Sequence, residues 1–293
     1  VAAHWIADRQ SGSQILRYGT EKQKSSIIPK ITSGECFFAI GMSEPDSGSD
    51  LASVKTKAIK TATGWNLEGR KIWSTGAHLC NYMIVLARTG PPSEKNRHEG
   101  LSQFLVDLSL PNVNIKGIPD MTGQRHFNET LFDNVQLSED ALLGEEGKGW
   151  SQVVGELALE RSGPERFLSH FTLLDRFINE FRNKLLKSGS NIIGKLIAEL
   201  QTLRRMSFSI ASMLQNGESP ETQAVFVKEL GNKFEKTMIE TLREFSNIIP
   251  LYEWPNQLQN LFEDATLRIP SNSLRGGTTE IMKGIIARQL GLR

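Results

Sequence analysis

Ile40-Gly41-Met42-Ser43-Glu44-Pro45-Asp46-Ser47-Gly48-Ser49-Asp50, followed downstream by Gly69-Arg70-Lys71-Ile72-Trp73-Ser74-Thr75-Gly76, decides how the rest of the chain is read. The first stretch ends a short apolar run and then strings together Ser, Pro, Gly and Asp. Such residues expose backbone N–H groups and hydroxyls in a tight concave turn suited to a diphosphate. The second places an aromatic plate and two hydroxyls at the end of a strand. On their chemistry alone the two stretches equally suit a surface hairpin. Around them, from Glu35 to Leu143, short apolar runs recur: Phe37 to Ile40, Trp65 to Leu67, Met83 to Ala87, Phe104 to Val106, Val113 to Ile115 and Glu129 to Phe132. Thr63-Gly64, Glu68-Gly69 and Pro111-Asn112 separate them, which predicts an all-β region. Pro91 to Gly100 reads as a charged surface loop.

From Gly149 onward the period becomes helical. Val153, Val154, Leu157 and Ala158 keep it, as do Phe171, Leu174, Phe177 and Phe181, then Ile193, Leu196, Leu200 and Leu203, then Phe226, Leu230, Phe234 and Met238. Gly189 and Asn216-Gly217-Glu218-Ser219-Pro220 separate three long helices, and Gly277-Thr278 opens a last one. Short connections favour an antiparallel bundle. Upstream, Thr20 with Glu21 and Gln23 marks a helix start that Ile27-Ile28-Pro29 is expected to end. The fold class is therefore α+β: an all-β domain (35–143) followed by an antiparallel C-terminal helical bundle (144–293), with a short helical stretch (1–34) before them.

The two stretches, in this order, resemble the acyl-CoA dehydrogenase family, whose members carry a Thr/Ser-Glu-Pro-x-x-Gly-Ser-Asp turn and a Lys-x-Trp-x-Thr/Ser strand around FAD. Leu274-Arg275-Gly276-Gly277-Thr278-Thr279-Glu280-Ile281, followed by Ile285-Ile286-Ala287-Arg288, resembles the family's closing signature. The resemblance implies FAD as cofactor and an acyl-CoA substrate. It implies α,β-desaturation of the CoA thioester, with electrons passed to an electron-transfer flavoprotein, within fatty acid metabolism and lipid degradation. Carried over by position, Met42 and Ser43 contact the pyrimidine edge of the flavin, Gly48 and Ser49 the pyrophosphate, and Trp73, Ser74 and Thr75 the dimethylbenzene side and N5 region. Thr278 and Glu280 join the cofactor set, and Ser49 and Arg161 contact the substrate. The bland readings are that Ser43 and Thr75 cap turns and that Trp73 is core.

The base is the residue that distinguishes this chain. Desaturation needs a carboxylate to take the α-proton, and most of the family places that Glu just before the Gly-Thr of the closing motif. Here the position is Gly276, whose N–H is left to donate to the thioester carbonyl. A minority of the family, including isovaleryl-CoA and long-chain enzymes, takes its Glu from the helix that opens the C-terminal domain, directly before an Arg. Glu156-Leu157-Ala158-Leu159-Glu160-Arg161 occupies that stretch, so Glu160 aligns with the alternative base and Arg161 with the family's Arg. Without the resemblance Glu160 would read as a solvated helix residue, and Glu156, one turn away, is the substitute. Small Gly276 leans the acyl group toward branched or bulky chains.

The resemblance also implies a homotetramer, whose neighbouring subunits complete each flavin site with Arg-x-x-Phe-Gly and Gln-x-x-Gly-Gly segments. The stretch from Arg182 to Gly189 and Ile248-Ile249-Pro250-Leu251-Tyr252-Glu253 match neither, so a homo- or hetero-oligomer, dimer or tetramer, is expected. Two alternatives remain: a non-catalytic or half-site partner subunit of a heteromer, and a flavin oxidase or monooxygenase on the same fold.

Composition narrows the field. A chain of 293 residues that is 39% hydrophobic and 23% charged is ordinary for a soluble globular protein. A net charge of +1 gives no electrostatic case for nucleic acid. Cys36 and Cys80 lack metal spacing and read as reduced thiols in a cytoplasmic protein. His4, His78, His98, His126 and His170 form no HExxH or Cys/His pattern, so no metal is expected. No apolar stretch reaches the roughly 18–20 residues of a membrane span. The chain begins at Val1, and Leu16 to Lys24 resembles the last connection of the family's N-terminal domain; the resemblance implies that residues 1–34 are a remnant of that helical domain, that 35–143 are the middle domain, and that upstream residues are expected.

Overall fold

The structure is a computed structural model describing residues 2–188 and 190–292, without the side chains at 2, 3, 158, 159, 186–188 and 190. Gly189, read as a helix break, and the side chain of Ala158 therefore lie outside the described residues. The chain divides into two compact units, Val1–Glu156 and Leu157–Arg293.

The first unit opens with α1 (Ala2–Trp5), a π-helical stretch (Ile6–Gly12), α2 (Ser13–Tyr18) and α3 (Glu21–Thr32). Thr20 caps α3 reciprocally: its hydroxyl accepts from the Gln23 N–H (3.2 Å), and the Gln23 side chain accepts from the Thr20 N–H (2.8 Å). The helix does not end at Pro29 but continues to Thr32. A proline in the last turns forfeits one backbone bond, and here Ile27 and Ile31, on one face, are buried with Ile6, Ile15 and Phe38, which outweighs the loss.

The sheet comprises β1 (Phe38–Gly41), β2 (Lys57–Thr61), β3 (Gly64–Thr75), β4 (Tyr82–Arg88), β5 (Leu101–Asp107), β6 (Val113–Ile118), β7 (Phe127–Ser138) and β8 (Leu142–Leu143). Their order is β6-β7-β3-β2-β4-β5-β8, with β1 parallel to β4. Met83, Val85 and Ala87 enter one core with Trp65, Leu67, Phe104 and Phe132. Ile84, between them, enters the other core with Phe38 and the N-terminal helices. Alternation of side chains across a strand, with both faces covered, explains the uninterrupted apolar run of β4. The sequence reading had no strand at β2, which buries only Ala58. It also separated Trp65 to Leu67 from the strand that ends at Trp73-Ser74-Thr75 by a turn at Glu68-Gly69, whereas the two are one strand with irregularities between Leu67 and Gly69 and between Lys71 and Ser74.

Helix α4 (Gly149–Ser162) leads into the second unit, which holds α5 (Phe171–Ser188), α6 (Ser190–Gln215), α7 (Glu221–Phe245), α8 (Asn256–Asn272) and α9 (Thr279–Gln289). Within it α7 packs on α6, α8 and α9, and α5 packs on α6 and α8. Leu174, Phe177, Phe181, Ile193, Leu196, Leu200 and Leu203 are core residues, as their spacing predicted, whereas Phe171, expected on the same face, is exposed at the first turn of α5. On α7 Phe234 and Met238 are core as expected, but Leu230 is exposed, and Ala224, Val227, Lys228, Gly231 and Glu235 also lie inside. Helix α8 was absent from the sequence reading, because its buried face is only Leu258, Phe262, Ala265 and Asn272 and Pro270 sits in its last turn. Among the described residues no helix is long and apolar enough to cross a membrane.

Candidate active site

The residues singled out by the sequence fall into two sets, one in each unit. In the first unit, β1 runs out into the turn carrying Met42 to Asp50. Glu44, at its start, is buried and accepts three hydrogen bonds: Lys71 Nζ (2.8 Å) and Thr56 N (2.9 Å) on Oε1, and Lys55 N (2.6 Å) on Oε2. Lys71, fully buried on β3, also donates to the Met42 carbonyl (2.9 Å), and Ile72 N donates to the Ser43 carbonyl (2.9 Å). The two motifs are thus one structure, joined by an ion pair and two main-chain contacts. Burial opposes the Glu44 charge, but Lys71 and the converging N–H donors outweigh it and hold the carboxyl below its ordinary value. Burial brings the Lys71 ammonium down to about 8 against the pull of Glu44.

Beyond Lys71 the strand bulges, and Trp73 takes a left-handed backbone (φ 65°). That conformation is an outlier for a bulky residue. Trp73 is 56% exposed and its ring meets Phe127 edge-on, with centroids 6.0 Å apart, so it is not core. Ser74 is buried, its carbonyl accepting from Asn128 Nδ2 (3.0 Å), and Thr75 is half-buried opposite Phe127. Gly48 and Ser49 are exposed, and nothing lies within 4 Å of a Cβ built on Gly48. Ser47 Oγ donates to the Asp50 carbonyl (2.6 Å) and tightens the turn. An exposed aromatic plate on a strained bulge, strapped to Met42-Ser43 and followed by an open glycine turn, fits a flat ring system with a diphosphate.

In the second unit, Glu160 lies near the C-terminal end of α4 with its side chain 12% exposed. Arg166, only 2% exposed, donates from Nε to the Glu160 carbonyl (3.0 Å) and from Nη2 to the Glu160 carboxylate. Gly276 adopts φ +66°, and a Cβ built there would stand 3.0 Å from Glu160 Oε1 and 3.2 Å from Oε2. The carboxylate therefore lies beside the point from which a residue-276 side chain would grow. Arg161 Nε donates to the Gly276 carbonyl (3.1 Å) and Lys228 Nζ to the Gly277 carbonyl (2.6 Å), pinning the closing turn from two helices. Burial depresses the Arg161 guanidinium despite the adjacent Glu160, and burial, reinforced by Arg166, brings Lys228 down to about 8. Thr278 caps α9 by accepting from the Ile281 N–H (3.4 Å), and Glu280 is exposed in the first turn. Glu156 is buried in the first unit, accepting from Gln10 Nε2 (3.2 Å). Lys228 and Arg166 escaped the sequence reading. The only signal for either was a lysine on the wrong side of an apolar helix period and an arginine in a Gly-Pro-rich connection.

The middle-domain model of the acyl-CoA dehydrogenases matches residues 39–135. Acyl-CoA dehydrogenase IpdE1 of Mycobacterium tuberculosis is 31% identical over 290 residues, covering 96% of this chain and 73% of that protein. The chain belongs to the acyl-CoA dehydrogenase family. Acyl-CoA dehydrogenase FadE34 of the same organism is 30% identical, but this chain, covered to 94%, spans only 38% of its length. Among solved structures, the ChsE4-ChsE5 complex from Mycobacterium tuberculosis is similar at TM-score 0.83 and 25% identity, over 99% of this chain and 77% of that one. In this acyl-CoA dehydrogenase the motif-bearing β-region coincides with the matched middle domain.

Proposed function

We propose that this chain catalyses α,β-desaturation of a CoA thioester, with Glu160 as the base. The observation that carries the proposal is the Glu160 carboxylate beside Gly276, the position from which most of the family's bases project. A base moved from one backbone position to another can serve the same Cα only if its carboxylate returns to the same place, and 3.0–3.2 Å to the Gly276 Cβ point meets that condition. In the proposed reaction Glu160 removes the α-proton, and the Gly276 N–H donates to the thioester carbonyl as negative charge gathers there. Arg161 and Ser49 contact the substrate. Met42, Ser43, Gly48, Ser49, Trp73, Ser74 and Thr75, with Thr278 and Glu280, are proposed to hold FAD, and residues 35–143 to form the middle domain around it. FAD held there would supply the acceptor for the β-hydride, with an electron-transfer flavoprotein as the proposed final electron acceptor. The absence of a side chain at Gly276 favours a branched or bulky acyl group.

Glu160→Gln tests this: the variant keeps its flavin and binds acyl-CoA, while turnover falls by at least about a hundredfold, the scale of a lost general base. Turnover is read with a panel of CoA thioesters and an artificial electron acceptor. Wild-type turnover in the variant would move the base to Glu156 or to another chain. A second reading, a half-site subunit in a heteromer, is favoured by the likeness to the ChsE4-ChsE5 complex.

A further inference from the structure

We propose that Arg166 and Lys228 are positioning residues for proton abstraction: Arg166 fixes the Glu160 carboxylate in one pose, and Lys228 holds the Gly276-Gly277 turn against it. The inference rests on Glu160 being the base. Arg166 binds the same residue twice, at its carbonyl and at its carboxylate. A planar guanidinium has its donors in a fixed fork, so two contacts to one residue leave the Glu160 side chain little rotational freedom. The fork is itself anchored, because Gly231 on α7 lets the helix close on the Arg166 backbone: a Cβ at 231 would sit 2.4 Å from the Arg166 carbonyl oxygen.

Lys228 stands one turn before Gly231 on the same helix, fully buried, with its ammonium on the Gly277 carbonyl at 2.6 Å. With the Asn232 amide oriented to suit its neighbours, its oxygen accepts from Lys228 (3.1 Å) and its nitrogen donates to the Asn272 carbonyl. One helix thus braces both halves of the arrangement. Arg161, Arg166, Lys228 and Arg275 all act electrostatically around Glu160 and Glu165. Apolar side chains of the same volume stabilise a fold as well as such a cluster does, since desolvating the charges offsets their attraction. A buried ammonium held between the Gly277 carbonyl of the closing turn and the Asn232 amide is explained by control of that turn's position.

The test compares Arg166→Lys, Arg166→Met and Lys228→Met with the parent and with Glu160→Gln, all as flavin-loaded protein, using the CoA thioester the parent turns over fastest. Misplacement of a reacting group by about 1 Å costs on the order of a hundredfold. The expected result is a kcat lowered about tenfold to a hundredfold in Arg166→Met and Lys228→Met. KM changes little, flavin per chain equals the parent's, and Arg166→Lys recovers part of the loss. Parental kcat in both Met variants, with Glu160→Gln inactive, overturns the positioning role and leaves the base in place. Loss of flavin with a raised KM and a lowered kcat in all three variants would make the cluster mere support for the fold, and also overturns it. An active Glu160→Gln defeats the underlying reading instead.

Discussion

Lys71 joins the two stretches that first marked this chain, and it does so without exposed surface. Removing one member of a buried pair leaves the other charged and desolvated, a loss of about 3–5 kcal/mol. Lys71→Met is therefore expected to lower unfolding stability by about that amount at neutral pH. The pH dependence follows from the direction of the Glu44 shift. In the parent, Glu44 lies below its ordinary 4.5 in the folded state, so its contribution is complete above that value and is lost as the pH falls through the folded pKa. In Lys71→Met only burial and the N–H donors remain, and burial, the largest influence, raises the carboxyl. Acid then neutralises a charge the folded state disfavours. The deficit of the variant, measured by urea midpoints across the acid range, narrows as the pH falls; a constant deficit would mean that Glu44 does not carry the effect. The sequence displayed Glu44 and Lys71 inside its motifs but gave no sign of their pairing. Composition and spacing report residue types along the chain, and this contact is made between separate segments.

At the scale of elements, what could be read was whatever buried an apolar face at regular spacing. Helices α5 and α6 and strand β4 meet that condition. Helix α7 meets it only in part: Phe234 and Met238 are core as expected, but Leu230 is exposed and the inward face carries Lys228, Gly231 and Glu235 among the apolar residues. The same polar interruptions mark where α7 braces the catalytic candidates, so the failure of the pattern and the candidate site have one origin. Glu160 and Gly276 were legible because the loss of a base at one motif and its presence at another are both visible in the residues. Arg166 was not, since its contacts depend on the fold of the Gly163 to Arg166 connection. Gly231→Ala probes the element directly: the added methyl meets the Arg166 backbone, which cannot rotate away. Overpacking of this kind costs about 1–3 kcal/mol. The expected result is a lower denaturation midpoint, with Gly194→Ala as the control, where nothing lies within 4 Å of the new Cβ. Equal midpoints for the two variants would show that α7 yields at Arg166.

At the scale of the whole molecule, the stretches that depart from the family's neighbour-subunit motifs come together. Lys184 Nζ pairs with Glu253 Oε2 at 2.8 Å, and beside Glu253 the chain exposes Leu251 and Tyr252, the latter 82% accessible, together with Ile248. Single exposed apolar residues are ordinary, but several in one short connection form a patch of the kind that partner chains cover. On the proposed function, the segments that the family resemblance assigns to the adenosine end of the flavin are the ones replaced here. The chain expressed alone is therefore expected to hold FAD substoichiometrically, or to require a related second chain for full loading. Absorbance gives flavin per chain and native mass the assembly. Coexpression with a related acyl-CoA dehydrogenase chain should raise the flavin content and yield a mixed oligomer. One tightly bound FAD per chain in a homo-oligomer would defeat the heteromer and show that other polar groups of the bundle, such as Asn183, reach the adenosine half.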